Sequence, residues 1–269
     1  MSIRFYCHQL RRDLTNYSFL RHVKLDGFIV TMHQSGSHWL KHMLACAITK
    51  ELGLPPPKYS FAGDVIGGAK RPISHPGLPV IGQSHTIPSP LMGSKILRKL
   101  CHFPPHVVLV RDLRAMLVSQ YEKRKQEYNC DFSEYLRGDV TGQKFRSDIW
   151  WSIRFQNAWG KIIEKYPDEF MVIKYEGMTA DTLTQLQVIN TFLKLNLSTE
   201  SLLYGVQEST KEKMSVKPGS AKKDKKRLNR VIVRMDTKPG KPVFAKEDEF
   251  FFKKTCKTYL KYDFGYDYS

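Results

Sequence analysis

"IVTMHQSGSHWLKHM", residues 29–43, changes from a strand pattern to a helix pattern within a few residues. The run "DGFIVT" at residues 26–31 is apolar and rich in β-favouring residues, which predicts a buried parallel strand. Apolar side chains then recur at helical spacing until "GLPPP" at residues 53–57, where Gly and Pro end the helix. A strand–turn–helix of this kind points backbone N–H groups at an anion. The stretch therefore predicts an α/β fold with an anion site at its first turn.

The turn itself, residues 34–38, has the sequence Gln-Ser-Gly-Ser-His. Ser35, Gly36 and Ser37 offer amides, hydroxyls and a residue that tolerates a tight turn. The patterns GxxxxGK[ST] and GxGxxG are both absent, which argues against an ordinary ATPase or kinase and against a dinucleotide-dependent dehydrogenase. Gln34 occupies the place where a cation is expected. A plain βα turn with a serine cap is the alternative interpretation.

Strand and helix patterns alternate through the rest of the chain. This alternation predicts one α/β domain, residues 1–269, with a central parallel sheet flanked by helices. Further strands are predicted at 79–85, 106–111 and 170–176, and helices at 112–125, 147–167, 181–195 and 246–262.

The charge balance favours anionic partners. Lys and Arg number 43 against 26 Asp and Glu, a formal charge of +17. Residues 211–230 hold nine Lys or Arg and two acids, and three interpretations stay open: a mobile solvated loop, a lid or phosphate clamp, and a nucleic-acid arm. Because the run lacks interleaved aromatic residues and no nucleic-acid module is present, no specific nucleic-acid partner is expected.

The cysteines and the hydropathy pattern indicate the compartment. Five scattered cysteines without CxxC spacing predict neither a zinc site nor a disulfide framework. No apolar run approaches the ~18 residues of a membrane span, and the start of the sequence lacks a signal-peptide pattern. We therefore expect a cytoplasmic protein with no membrane partner.

Two further places carry candidate chemistry. Arg111 ends the strand at 106–111 and Ser119 lies two turns into the next helix, a position at the sheet edge where ligands gather. His85 follows the strand at 79–85 and is a candidate general base. The alternatives are an Arg111–carboxylate ion pair, a packing role for Ser119 and a structural histidine.

Six motifs, in order, resemble the PAPS-dependent sulfotransferases, closest to the cytosolic small-molecule type, over residues 26–266. "TMHQSGSHW" (31–39) is similar to the family's T-Y-P-K-S-G-T-T-W, "QSHTIP" (83–88) to K-T-H-L-P, and "RDLRAMLVS" (111–119) to R-N-P-R-D-x-x-x-S. "KYEGM" (174–178) is similar to Y-E-D, "STKEKM" (209–214) to T-S-F-E-x-M, and "VRMDTKPGKPVF" (233–244) to R-K-G-x-x-G-D-W.

This resemblance implies a P-loop-like nucleotide-binding fold and a metal-free reaction. A sulfuryl group would pass from PAPS, leaving PAP, to a hydroxyl or amine of a small organic acceptor. His85 would take the acceptor's proton. The resemblance implies cofactor contacts from Ser35, Gly36, Ser37, His38, Trp39, Arg111, Ser119, Tyr175, Ser209, Lys211, Arg234 and Lys238.

The family's loop lysine is replaced here by Gln34, and losing a charged donor costs about 1.5–3 kcal/mol. His33, His38, or Lys211 with the basic run are the candidate replacements, so Gln34, His33 and His38 join His85 as catalytic candidates. Met235 and Asp236 also depart from the R-K-G motif, which predicts a different path for that loop.

Two rival functions and the acceptor side complete the expectations. A PAPS- or nucleotide-binding protein without transfer is the first rival, because of Gln34. A nucleic-acid binder that uses the +17 charge is the second. The acceptor is predicted to meet aromatic side chains, and a homodimer is an open alternative. The acceptor-site candidates are Phe61, Tyr128, Phe132 and Trp150.

Overall fold

A computed structural model describes residues 25–88, 90–142, 144–145, 147–218 and 244–269 of the chain. Four parallel strands form one sheet in the order β2-β1-β3-β4. The strands are β1 (Gly27–Thr31), β2 (Ile81–Ser84), β3 (His106–Val110) and β4 (Phe170–Lys174).

The strand order places the first turn at a crevice of the sheet. β1 pairs with β2 on one side and with β3 on the other, with Phe28 opposite Gly82 and His106. The connections after β1 and β3 therefore leave the same edge in opposite directions, and ligands of open α/β sheets bind at such a switch point. All five residues of β1 and of β3 are buried, as expected for strands covered on both faces.

Ten α-helices of the described residues surround the sheet. Several begin at a capping carboxylate, as Asp112 illustrates by accepting a hydrogen bond from the Ala115 N–H. The helices are α1 (Ser37–Glu51), α2 (Lys95–Leu100), α3 (Leu113–Tyr128), α4 (Phe132–Arg137), α5 (Ile149–Lys165), α6 (Tyr175–Ala180), α7 (Thr182–Phe192), α8 (Thr199–Glu208), α9 (Lys211–Ser215) and α10 (Lys246–Tyr259), with 3₁₀ turns at Pro90–Gly93 and Pro167–Glu169.

Two hydrophobic clusters hold the layers together. One joins the sheet to α3, α5 and α10, and includes Trp159 and Phe252. The other joins the opposite face to α1, α7 and α8, and includes Met43 and Leu202. α8 lies directly on α1, because a Cβ atom at Gly205 would lie only 2.4 Å from the Met43 carbonyl oxygen. The predicted α/β fold with a parallel sheet between helices is confirmed.

Several predicted boundaries need correction. β4 ends at Lys174 and Tyr175 begins α6, so the strand predicted over 170–176 is two residues too long. The last helix ends at Tyr259, and the strand predicted over 79–85 spans only 81–84. The prediction of a loop over 211–230 is wrong for its first residues, since Lys211–Ser215 is helical; residues 219–230 lie outside the described part. Within the described residues, no helix has the length and apolar character needed to cross a bilayer.

Candidate functional site

The turn between β1 and α1 presents the open amino end of a long helix. Gln34 and Gly36 adopt left-handed backbone angles, with φ of 58° and 85°. Ser35 is buried and its hydroxyl donates to the Met32 carbonyl at 2.6 Å, which closes the turn. Gly36 caps α1 without a side-chain acceptor, so the first-turn N–H groups are available to an anion.

An aromatic and cationic wall stands beside this turn. The Arg111 guanidinium lies over the Tyr175 ring at 4.4 Å, and the Trp39 and Tyr175 rings meet edge to face at 6.2 Å. A Cβ atom at Gly36 would lie 2.8 Å from the same Tyr175 ring, so only glycine fits the turn without displacing the ring. Residues predicted separately from the three motifs around 36, 111 and 175 are thus brought together.

Arg111 connects the end of β3 to the turn. Its Nη1 donates to the Gln34 carbonyl at 2.8 Å, while its buried Nε has no hydrogen-bond partner among the described residues. An orphaned buried guanidinium N–H is costly unless a ligand satisfies it. Within the described ranges Arg111 contacts the Gln34 carbonyl and the Tyr175 ring, and no carboxylate there forms the alternative ion pair with it.

Gln34 is directed toward α3. Its amide donates to the Gln120 side-chain oxygen at 3.1 Å, and the Ser119 hydroxyl approaches its amide oxygen at 3.5 Å. Gln120, in turn, donates to the Tyr128 hydroxyl at 3.1 Å. Gln120 was not among the predicted residues, although it follows Ser119 directly and is buried.

Thr31 holds the imidazole ring of His85 in place through its Nδ1 atom. The Nδ1 atom lies 2.9 Å from the Thr31 carbonyl oxygen and 2.9 Å from the Thr31 hydroxyl, which also accepts from Gln83 at 3.0 Å. Because a carbonyl can only accept, Nδ1 carries the hydrogen and the lone pair of the neutral ring is on Nε2. With Nδ1 donating to Thr31, Nε2 is the nitrogen that can accept a proton as a general base.

His33 extends the His85 group toward α5. The two imidazole rings stack at 4.2 Å, and the His33 ring meets the Trp151 ring at 4.7 Å. The predicted acceptor-site residue is the adjacent Trp150, but its indole N–H donates to the Arg137 carbonyl and its ring packs on Tyr259. Successive helix residues face about 100° apart, so only tertiary packing distinguishes the two tryptophans.

The surroundings of His38 disfavour the protonated form of its ring. Burial lowers the pKa of His38 to about 3, with smaller contributions from the neighbouring Lys123, His85 and Lys41 side chains. The imidazole is therefore neutral near pH 7 in these surroundings, and protonation of His38 beside a bound diphosphate stays a prediction. Burial of this kind leaves no trace in the local sequence.

A buried polar chain ties Ser209 to α1. The Trp39 indole donates to the Ser209 carbonyl at 3.0 Å, and the Ser209 hydroxyl lies 2.7 Å from His42 Nδ1. Lys217 donates to His42 Nε2 at 3.1 Å and to the Pro57 carbonyl. Burial, and next the charge of Lys217, lowers the pKa of His42 to about 4. No local pattern predicts this role of His42, because Ser209 and Lys217 are more than 160 residues away from it in the sequence.

The acceptor-site candidates are dispersed. Phe61 lies at the edge of the site, with its ring 6.5 Å from that of His38. Phe132 is buried in the core against Tyr121 and Tyr135, and Tyr128 stacks on Tyr135. Phe132 and Trp150 thus have packing partners away from the turn. Lys211 begins α9 and is exposed, while Arg234 and Lys238 lie outside the described residues, as do Met235 and Asp236.

No group of three or more His, Cys, Asp or Glu side chains in the described residues could hold a metal ion. The site consists instead of amide, hydroxyl, guanidinium and imidazole groups. Such groups bind and orient an oxyanion and can move one proton.

Comparisons with known proteins agree with this fold. Mouse sulfotransferase SULT7A1 complexed with PAP has 17% identity, 88% coverage of this chain, 85% coverage of that chain and a TM-score of 0.56. Retinol dehydratase in complex with androsterone and the inactive cofactor PAP has 15% identity, coverages of 96% and 88%, and a TM-score of 0.64. The structure of retinol dehydratase in a complex with retinol and PAP has 14% identity, the same coverages and a TM-score of 0.63. At these identities the likeness concerns the fold, and no curated protein matches the sequence.

The family model of the sulfotransferase domain matches residues 69–261, more than two thirds of the chain. The match includes His85, Arg111, Ser119, Tyr175 and Ser209, but it begins after the turn at 34–38, whose assignment depends on the geometry above. This chain therefore belongs to the sulfotransferase family.

Proposed function

We propose that this protein transfers a sulfuryl group from PAPS to a hydroxyl or amine of a small organic acceptor, with His85 as the general base. The observation that carries the proposal is the position of a tautomer-fixed histidine next to an open helix amino end. His85 Nδ1 is held by Thr31, the last residue of β1, and α1 begins six residues later. A base and an anion cradle on one strand end are the two elements that sulfuryl transfer needs.

The residues present fit a bis-phosphorylated adenosine. The amides of Ser35, Gly36 and Ser37 and the Ser37 hydroxyl would hold the 5′ side, because no side chain of the described residues caps α1. The Ser35 hydroxyl is already committed to the Met32 carbonyl. Arg111, with its orphaned Nε, and Ser119 would hold the 3′-phosphate. Trp39 and Tyr175 would contact the adenine, with Ser209 behind Trp39. Neighbouring structures bound to PAP support this assignment.

PAPS, when bound, supplies the activated sulfuryl group. His85 Nε2 would accept the proton of the acceptor hydroxyl or amine, while the Thr31 carbonyl keeps the ring oriented and stabilises the imidazolium that results. Gln83 orients Thr31 by donating to its hydroxyl. Positioning and charge stabilisation account for most of the rate in transfers of this type.

Gln34 has a reduced role in the proposal. One amide hydrogen is used by Gln120, and the amide group has a second one to offer to a leaving oxygen. The donor is neutral, so it stabilises developing negative charge less than an ammonium group does. A nucleotide-binding protein without transfer activity is the alternative that this neutral donor favours.

The acceptor side is the least constrained part of the proposal. Retinol and androsterone in the neighbouring retinol dehydratase complexes are compatible with a small organic acceptor. Phe61 and Tyr128, with Trp151 beside His33, are the aromatic residues we favour for acceptor contact. A cytoplasmic location and a homodimer stay predictions.

Thermal shift with PAP and with ATP tests the nucleotide part. We expect PAP to raise the unfolding free energy by RT ln(1 + [L]/Kd), and with it the unfolding midpoint, and equimolar ATP to leave both nearly unchanged. An equal response to both nucleotides would favour a general nucleotide binder. The absence of any response to PAP would contradict the proposal.

A further inference from the structure

Lys41 is a buried lysine on α1, one turn after the open helix end. Its relative exposure is 6%, and its Nζ lies 5.6 Å from the centre of the Phe61 ring. Among the described residues, no hydrogen bond or ion pair engages this ammonium group, and the carboxylate that acts on it is that of Asp64. A lysine so deeply buried is ordinarily paired.

The direction of the Lys41 side chain follows from helix geometry. Helical side chains lean toward the amino end and cover the residues three and four positions earlier, which are His38 and Ser37. The charge of Lys41 acts on His38, and His38 and Lys41 both approach the Phe61 ring. The ammonium is therefore directed back along α1 toward the turn at 34–38.

Within the described part of the chain, a contact with the Phe61 ring and the charge of Asp64 offset the burial of this ammonium group only in part. Burial lowers the pKa of Lys41 to about 8, against a weaker upward effect of Asp64, so the group is mostly charged near pH 7 at a cost in stability. His38 is neutral at that pH in these surroundings. An oxyanion at the helix end would give the Lys41 ammonium group a hydrogen-bond partner in place of the water that burial excludes.

We propose that Lys41 binds the oxyanion at the 5′ side of the nucleotide and supplies the positive charge that Gln34 lacks. The inference depends on the proposed function, and it replaces the histidine and basic-run candidates with a residue of α1 itself. Sequence comparison does not reveal it, because Lys41 lies outside the motif that Gln34 interrupts.

Calorimetric titration of three proteins with two probes tests this inference. The proteins are the wild type, Lys41→Met and Lys50→Met, the last being a matched control at the exposed end of α1, where Lys50 pairs with Glu200. The probes are PAP and adenosine 3′-phosphate, which lacks the 5′-phosphate. We expect Lys41→Met to weaken PAP binding about ten- to a hundredfold, as for the loss of a charged hydrogen bond. Adenosine 3′-phosphate binding should be unchanged in every variant.

The outcomes separate this inference from the proposed function. If the wild type binds PAP and Lys41→Met binds it within twofold, Lys41 has no role at the 5′ side and the inference is wrong. If Lys41→Met weakens both probes equally, the change is a general perturbation, which also overturns it. If the wild type itself fails to bind PAP, the proposed function fails first. Circular dichroism of each variant establishes that it is folded.

Discussion

Replacing Arg111 by Met should separate nucleotide recognition from folding. Among the described residues, Arg111 makes one hydrogen bond, to the Gln34 carbonyl, and stacks on Tyr175. Its Nε is buried without a partner. Losing the hydrogen bond costs about 1.5–3 kcal/mol, whereas removing the orphaned N–H relieves about 1–3 kcal/mol. The two effects nearly cancel, so we expect the unfolding free energy of Arg111→Met to remain within about 1 kcal/mol of the wild type.

Nothing offsets the loss of nucleotide affinity that we expect for Arg111→Met. If Arg111 holds the 3′-phosphate, the variant loses at least one charged hydrogen bond, about 1.5–3 kcal/mol or roughly ten- to 150-fold in Kd. The informative quantity is the ratio of Kd for adenosine 5′-phosphate to Kd for PAP, because the two nucleotides differ only in the 3′-phosphate. We expect that ratio to fall by the same factor.

Arg114→Met is the matched control for Arg111→Met. Arg114 also stacks on an aromatic ring, that of Phe252, but it pairs with Glu249 of α10 at 2.7 Å. We expect this variant to lose stability and to keep the wild-type ratio. A folded Arg111→Met protein that discriminates between the two nucleotides as well as the wild type would refute the 3′-phosphate assignment.

Two further predictions concern stability. Gly36→Ala places a Cβ atom 2.8 Å from the Tyr175 ring at a φ of 85°, so it should lower the unfolding free energy by about 1–2 kcal/mol through backbone strain and by about 1–3 kcal/mol more through the overlap. Gly53→Ala, at a φ of 64° and with open space around the Cβ position, should cost only the backbone strain. Equal losses of unfolding free energy for the two variants in chemical denaturation would contradict this prediction. For Lys41, whose folded-state pKa lies near 8 rather than 10.5, the charged group opposes folding below pH 8 and this penalty disappears between pH 8 and 10.5. Lys41→Met should therefore raise the unfolding free energy by up to about 3 kcal/mol at pH 7 and by little above pH 10.5, whereas a loss of stability at pH 7 would indicate a structural lysine.

Local chemistry made the scaffold predictable. The apolar runs at β1 and β3 are continuous because both faces of these strands are covered, and the capping Asp112 marks the start of α3. The ends of elements were harder to predict. Tyr175 favours a strand by propensity, yet it begins α6 and packs beside Gly36.

The candidate site likewise has a part that could be predicted from the sequence and a part that could not. The approach of Gly36, Arg111 and Tyr175 follows from their places at one sheet edge, which strand order dictates. The sequence did not predict three residues of the site, because their partners lie on elements that are distant in the chain; these residues are His42, Gln120 and Trp151. The neutrality of His38 and the desolvated charge of Lys41 depend on burial, which no spacing rule contains.

The most direct test of the central claim measures PAP and sulfated product formed from PAPS with a panel of phenols, alcohols and amines. The wild type is compared with His85→Asn, whose side-chain N–H can still donate to the Thr31 carbonyl as Nδ1 does, but which has no basic nitrogen. We predict that the wild type forms both products and that His85→Asn is slower by about 10²- to 10⁴-fold, while its PAP affinity stays within twofold. A wild type that binds PAP but sulfates no acceptor, or a His85→Asn variant as fast as the wild type, would contradict the account.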